Sequence, residues 1–157
     1  MSSYPTIKFF PKGSKTPEDY SGGRDEASFV TFINQKAGTH RAVGGGLNAQ
    51  AGTIEALDSI VAKFTGGTSL TEAIEEAKKE AEKLKEQAQY KYAEYYLRVF
   101  DKLSKNDGYV AKELSRLDGI IKKGGLAPAK LDELTGKTNI LRQFVETVTG
   151  EEKKDEL

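Results

Sequence analysis

The sequence predicts a mainly α fold in two parts: a short β-hairpin with one helix, then a bundle of five helices. Three observations carry that prediction. From Asn48 to Val148 apolar residues recur at every third or fourth position, the spacing of helices that each bury one face. Before them stands a single β-prone run, Thr6 to Phe10. Between the two lie residues 38–47, which contain Gly44, Gly45 and Gly46 and have the composition of a flexible linker.

The elements follow in order. Thr6 to Phe10 is stopped by Pro11-Lys12-Gly13, where a fixed φ followed by a permissive glycine makes a turn, and Asp19 to Gly22 closes a weak second strand. Asp25 reads as the N-cap of a helix whose apolar face is Phe29, Val30, Phe32 and Ile33 and which ends at Ala37-Gly38. Two strands and a helix bury little, so residues 1–37 need more sheet than this chain supplies.

After the glycines, Ile54, Leu57, Val61 and Phe64 mark a helix that Gly66-Gly67 stops, and Thr68 or Ser69 caps the next. The stripe from Leu70 through Ile74, Ala77, Ala81, Leu84, Ala88, Tyr92, Tyr95 and Val99 to Leu103 is too long for an ordinary helix, so a break is expected near Gln87 to Tyr90. Alanine at three inner positions makes a thin coiled-coil seam and favours packing within the chain. Asn106-Asp107-Gly108 is a turn, and Val110, Leu114, Leu117 and Ile121 give a helix ending at Gly124-Gly125. Pro128 opens the last one, lined by Leu131, Leu134, Leu141, Phe144, Val145 and Val148, with Gly136 as an expected bend. Beyond Gly150 nothing remains to bury, so residues 151–157 are expected as a disordered tail.

Composition narrows the function. Lys and Arg total 24 and Asp and Glu total 24, so no net field attracts nucleic acid or an anionic membrane. No apolar stretch approaches the roughly 18 residues of a spanning helix, so no membrane insertion is expected. The chain has no cysteine, which removes thiolate chemistry and internal disulfides alike. One histidine, His40, cannot complete a ligand set or a triad and reads as solvated, so neither a metal nor a cofactor is expected. Glu75 and Glu76 lie among charges of both signs and read as solvated surface, and the triple glycine lacks the setting of a nucleotide loop.

The chain ends in Lys154, Asp155, Glu156 and Leu157, the receptor-read address that returns lumenal proteins to the endoplasmic reticulum. Such an address works only on a chain that has entered the secretory pathway. Met1 to Pro5 has no basic region followed by an apolar one, so the signal peptide required is not seen in this chain. The expectation is the C-terminal piece of a longer lumenal protein; the alternative is an idle address.

Residues Tyr4-Pro5-Thr6-Ile7-Lys8-Phe9-Phe10-Pro11-Lys12-Gly13, Tyr20-Ser21-Gly22-Gly23-Arg24 and Phe29-Val30-Thr31-Phe32-Ile33-Asn34 resemble the second half of a thioredoxin-like catalytic domain of the protein disulfide isomerase family. The resemblance implies that Pro5 holds the position of that domain's cis-proline, facing a paired-cysteine site whose own half is absent here. Residues 48–150 resemble the helical D domain of the ERp29-related subfamily, with Lys91-Tyr92-Ala93-Glu94-Tyr95-Tyr96-Leu97-Arg98 matching its aromatic motif. That domain is a non-catalytic five-helix module that helps bind client polypeptides or partners.

Together these readings imply residues 1–37 as a truncated thioredoxin-like half, 38–47 as linker, 48–150 as D domain and 151–157 as the tail. The function they imply is the non-catalytic C-terminal part of an endoplasmic-reticulum disulfide isomerase that assists folding by binding. The alternatives are an incomplete copy of the isomerase itself, or a dimerisation module that would make a homodimer. Expected partners are folding secretory polypeptides and the retrieval receptor. No catalytic residue is expected, and the chain alone should be inactive. For client contact, Tyr90 and Tyr96 are the candidates, since a tyrosine offers an apolar ring and a hydroxyl; Tyr92 and Tyr95, on the apolar stripe, read as core.

Overall fold

A computed structural model describes the backbone of residues 4–155 and the side chains of residues 4–145. Among the described residues are six helices and one two-stranded sheet, and the chain divides into two compact units, Met1–Asn48 and Ala49–Leu157.

In the first unit β1 (Lys8–Phe9) pairs antiparallel with β2 (Glu18–Asp19), in the register Lys8 opposite Asp19 and Phe9 opposite Glu18. The turn between them closes with Ser14 N–H donating to the Pro11 carbonyl at 2.9 Å, and Gly13 supplies a φ of 80°. The second strand therefore ends where Asp19 to Gly22 was expected to begin. One further bond, Tyr20 N–H to the Ile7 carbonyl at 2.9 Å, closes the pairing; the Tyr20 ring stacks on Phe29 at 5.1 Å and meets Phe32 edge-on at 4.9 Å, and its hydroxyl donates to the Gly23 carbonyl.

Helix α1 (Glu26–Ala37) starts and stops as its sequence dictates. The Asp25 side chain accepts from Ser28 N–H at 2.9 Å, and Gly38, at φ 64°, closes the end in the left-handed region. None of the residues of α1 is buried. The hairpin and the helix touch through half-buried rings, Phe9 on Phe32 at 5.5 Å among them, without enclosing an interior.

The expected linker is a folded loop. The Asn34 side chain accepts from Arg41 N–H at 2.9 Å and from the Thr39 hydroxyl at 3.0 Å, and donates to the Arg41 carbonyl at 2.9 Å. Arg41 bridges Leu47, and Asn48 N–H donates to the His40 carbonyl at 2.9 Å. Gly44 and Gly45, with φ of 92° and 94°, make the tip. These glycines supply a backbone conformation that other residues adopt at a cost, rather than slack. His40 is exposed.

The second unit holds the remaining five helices: α2 (Glu55–Thr65), α3 (Leu70–Lys83), α4 (Tyr90–Lys105), α5 (Tyr109–Lys123) and α6 (Pro128–Asp155). Each packs on the next, α2 closes onto α6, and α4 also reaches α6. One core joins them, in which Leu57, Val61, Val99, Phe100, Ile140 and Leu141 have no solvent exposure. Phe100 is its hub, edge-on to Phe64 at 5.8 Å and to Phe144 at 5.1 Å. Ala73, Ala77 and Ala81 are all buried, so small side chains on α3 admit its neighbours within the chain. Ser69 caps α3, accepting from Glu72 N–H at 3.3 Å. The break in the long stripe spans residues 84–89, slightly before the expected place.

One expectation about α6 is corrected. Its helical backbone runs on through Gly136. It also continues to Asp155, where a disordered tail was expected from residue 151; Glu and Lys are good helix formers, and a helix already running adds one residue at little cost. Lys154 and Asp155 are thus helical in backbone, while Glu156 and Leu157 lie outside the described residues. Among the described residues no helix is long and apolar enough to cross a membrane.

Candidate functional site

In the first unit, Pro5 follows a cis peptide bond from Tyr4 and is exposed, ahead of β1. Large apolar side chains left in solvent cluster in this unit: Tyr4 at 96%, Phe10 at 60%, Val43 at 57% and Ile33 at 46% exposure. This unit has no buried residue among those described, and its exposed apolar side chains come from the segment before the hairpin, the hairpin, the helix and the loop after it.

The aromatic motif of α4 lies in the second unit, and its tyrosines have four different surroundings. Tyr90, at the start of the helix, is half-buried and packs against the core from outside. Tyr92, also half-buried, lies against two glycines. A Cβ on Gly136 would come within 2.7 Å of its Cε1, and one on Gly52 within 3.1 Å. Gly136 therefore gives the Tyr92 ring its seat.

Tyr96 is placed in the interior, with no exposure, and is corrected as a candidate contact residue. Its hydroxyl accepts from Ile54 N–H at 3.0 Å and donates to the Asp58 carboxylate. Ile54 stands at the N-cap of α2 with no side chain to offer, so Tyr96 satisfies one of the free N–H groups of that helix end. Burial first, then the bond to Asp58, pushes the Tyr96 hydroxyl well above the ordinary tyrosine range. Burial likewise raises the half-exposed Asp58 carboxyl, opposed by the bond from Tyr96. Asn139, buried on α6, donates to the Ala51 carbonyl at 2.9 Å and fixes the same loop.

Tyr95 is 7% exposed, and its hydroxyl has no hydrogen-bond partner among the described residues. Lys137 Nζ stands 5.4 Å from the centroid of its ring. Burial raises the Tyr95 hydroxyl, with Tyr109 and Glu113 adding to the effect and Arg98 and Arg116 opposing it. Glu113 accepts from Arg116 Nε at 2.9 Å and Nη2 at 2.6 Å, which holds its carboxyl below the usual range. Sequence reading missed this group because Arg98 on α4, Tyr109, Glu113 and Arg116 on α5, and Lys137 on α6 share no local pattern.

These arrangements supply hydrogen-bond donors, aromatic surface and charge. Among the described residues no three His, Cys, Asp or Glu side chains are grouped to hold a metal.

Comparison with known proteins places the chain. A family model described as endoplasmic reticulum protein ERp29, C-terminal domain, matches residues 52–144. Protein disulfide-isomerase erp38 of Neurospora crassa is 66% identical over 157 residues, covering 100% of this chain and 42% of its own length. Protein disulfide-isomerase tigA of Aspergillus niger is 54% identical over 159 residues, covering 100% and 41%. The probable protein disulfide-isomerase A6 of Medicago sativa is 43% identical over 146 residues, covering 92% and 40%. The chain thus spans about two fifths of the length of the curated relatives it matches.

Proposed function

The chain belongs to the family of the ERp29 C-terminal domain, and from that premise we propose that it is the C-terminal part of a lumenal disulfide isomerase, assisting folding by binding rather than by thiol chemistry. The observation that carries this reading is a division of resources. The five-helix unit has a complete core of its own, whereas the chain holds no cysteine and its thioredoxin-like unit buries no described residue.

Support for a folding role comes from the relatives, whose names are those of disulfide isomerases. Support for a binding role comes from the exposed apolar side chains of Tyr4, Phe10, Ile33 and Val43 and from Tyr90 at the rim of the helical core. Pro5 holds the place of the cis-proline, and Lys154 to Leu157 act as the retrieval address in the endoplasmic reticulum. The clients are folding secretory polypeptides.

The test uses the purified chain with a reduced, alkylated polypeptide and, separately, with a dithiol substrate. The expected result is binding that Tyr90→Ala weakens, together with no oxidation or reduction above buffer. Turnover by this chain, or no association with the unfolded polypeptide, contradicts the reading.

A further inference from the structure

We infer that the cleft between the outer edge of β2 and helix α1 takes an extended stretch of unfolded polypeptide, which pairs its backbone with Asp19 as an added strand. The inference rests on the binding role proposed above, and names where on the first unit a client is held and by which bonds.

The first observation is the cleft itself, about 470 Å³ in volume and so within the roughly 300–1,000 Å³ typical of ligand sites. Asp19 and Ser21 line it from the strand side, and Ala27, Thr31 and Gln35, each one turn after the last, line it from one stripe of α1. Tyr20 and Phe32, half-buried and edge-on to each other at 4.9 Å, give it an apolar surface. No residue of β1 lines it, so it lies on the outer side of β2.

The second observation is the backbone at that edge. Tyr20 N–H donates to the Ile7 carbonyl at 2.9 Å, and the register sets Glu18 opposite Phe9, so Glu18 and Tyr20 turn their N–H and C=O groups toward β1. The residue between them turns the other way. Asp19 therefore presents its N–H and C=O outward, and neither these nor the Ser21 N–H has a partner among the described residues.

The third is charge. Asp19 is the only charged side chain lining the cleft, and its carboxylate is paired with Lys8 Nζ at 2.7 Å. A lining without unpaired charge matches a neutral amide backbone rather than an anion or a cation. The Ser21 hydroxyl and the Gln35 amide, also without partners among the described residues, add donors and acceptors on the two walls. The rings of Tyr20 and Phe32 face the side chains that an added strand turns to one side. Main-chain pairing of this kind gives affinity with little demand on sequence, as a binder of many unfolded chains requires.

Anisotropy of a short labelled peptide of alternating Val and Thr, titrated with the 157-residue chain, tests this against the same peptide N-methylated throughout. The unmethylated peptide should bind at least about tenfold tighter. Thr31→Arg, which fills the cleft from an exposed position on α1, should weaken it by a similar factor. Amide exchange needs no variant: saturating peptide should slow the Asp19 amide while leaving those of Glu18 and Tyr20, already turned to β1, at their former rates. Equal binding of the two peptides overturns the inference, as does an Asp19 amide that peptide leaves unchanged. If neither peptide binds but the reduced, alkylated polypeptide does, the inference fails and the binding role stands; if that polypeptide also fails to bind, both fall.

Discussion

The hydroxyl of Tyr96 accepts a hydrogen bond from the backbone of Ile54, 42 residues earlier in the chain, and passes its own proton toward Asp58. One side chain on α4 thus caps α2, which has no capping side chain of its own. Tyr96→Phe keeps the ring and leaves the Ile54 N–H without an acceptor. The expected loss is about 1–3 kcal/mol of stability, read from urea denaturation. Tyr90→Phe, at the rim, should be close to neutral.

Asp58 gives this contact a pH dependence. Its carboxyl is raised above 3.8 in the folded chain, burial being the larger cause, so the folded state holds the proton more tightly than the unfolded one. The contribution of Asp58 is therefore most favourable below 3.8 and declines as pH rises through the folded value. Asp58→Asn keeps an acceptor for Tyr96 and removes the titration. The stability of the wild type relative to this variant should fall from acid toward neutral pH; a constant difference in thermal melts would refute the assignment.

Gly136→Ala separates helix propensity from packing. Alanine is the better helix former by about 1 kcal/mol, yet its Cβ would stand 2.7 Å from the Tyr92 ring. The variant should lose about 1–3 kcal/mol, the usual cost of overpacking, and Tyr92→Ala in the same chain should restore part of it. A simple gain in stability would show that the ring moves aside freely.

Where a decision is local, the sequence was enough. Asp25, Ser69, Gly38 and Pro128 set helix ends within a few residues, and the three-and-four spacing placed all five helices of the second unit. Decisions made at long range were hidden. Tyr96 looks like a flank of the stripe, but α4 buries Tyr95, Tyr96, Val99 and Phe100 together because three other helices surround it. Composition alone does not separate a slack glycine run from a turn, and Asn34, ten residues before Gly44 in sequence, decides for the turn.

Asn34→Ala follows from that point. It removes three hydrogen bonds to Thr39 and Arg41. Residues 39–48 should then become a site of rapid proteolytic cleavage while the helical unit keeps its melting temperature. Unchanged cleavage would mean that the remaining bonds, among them Asn48 N–H to the His40 carbonyl and Gly44 N–H to the Glu26 carboxylate, hold the loop without Asn34.

Amide hydrogen exchange along the whole chain tests most directly the claim that only the helical unit has a self-sufficient interior. Val99, Phe100, Ile140 and Leu141 should exchange slowly and at a common rate set by cooperative unfolding, while residues 26–37, hydrogen-bonded in α1 but unburied, should exchange far faster. Equal protection in α1 and in the helical core would contradict the account.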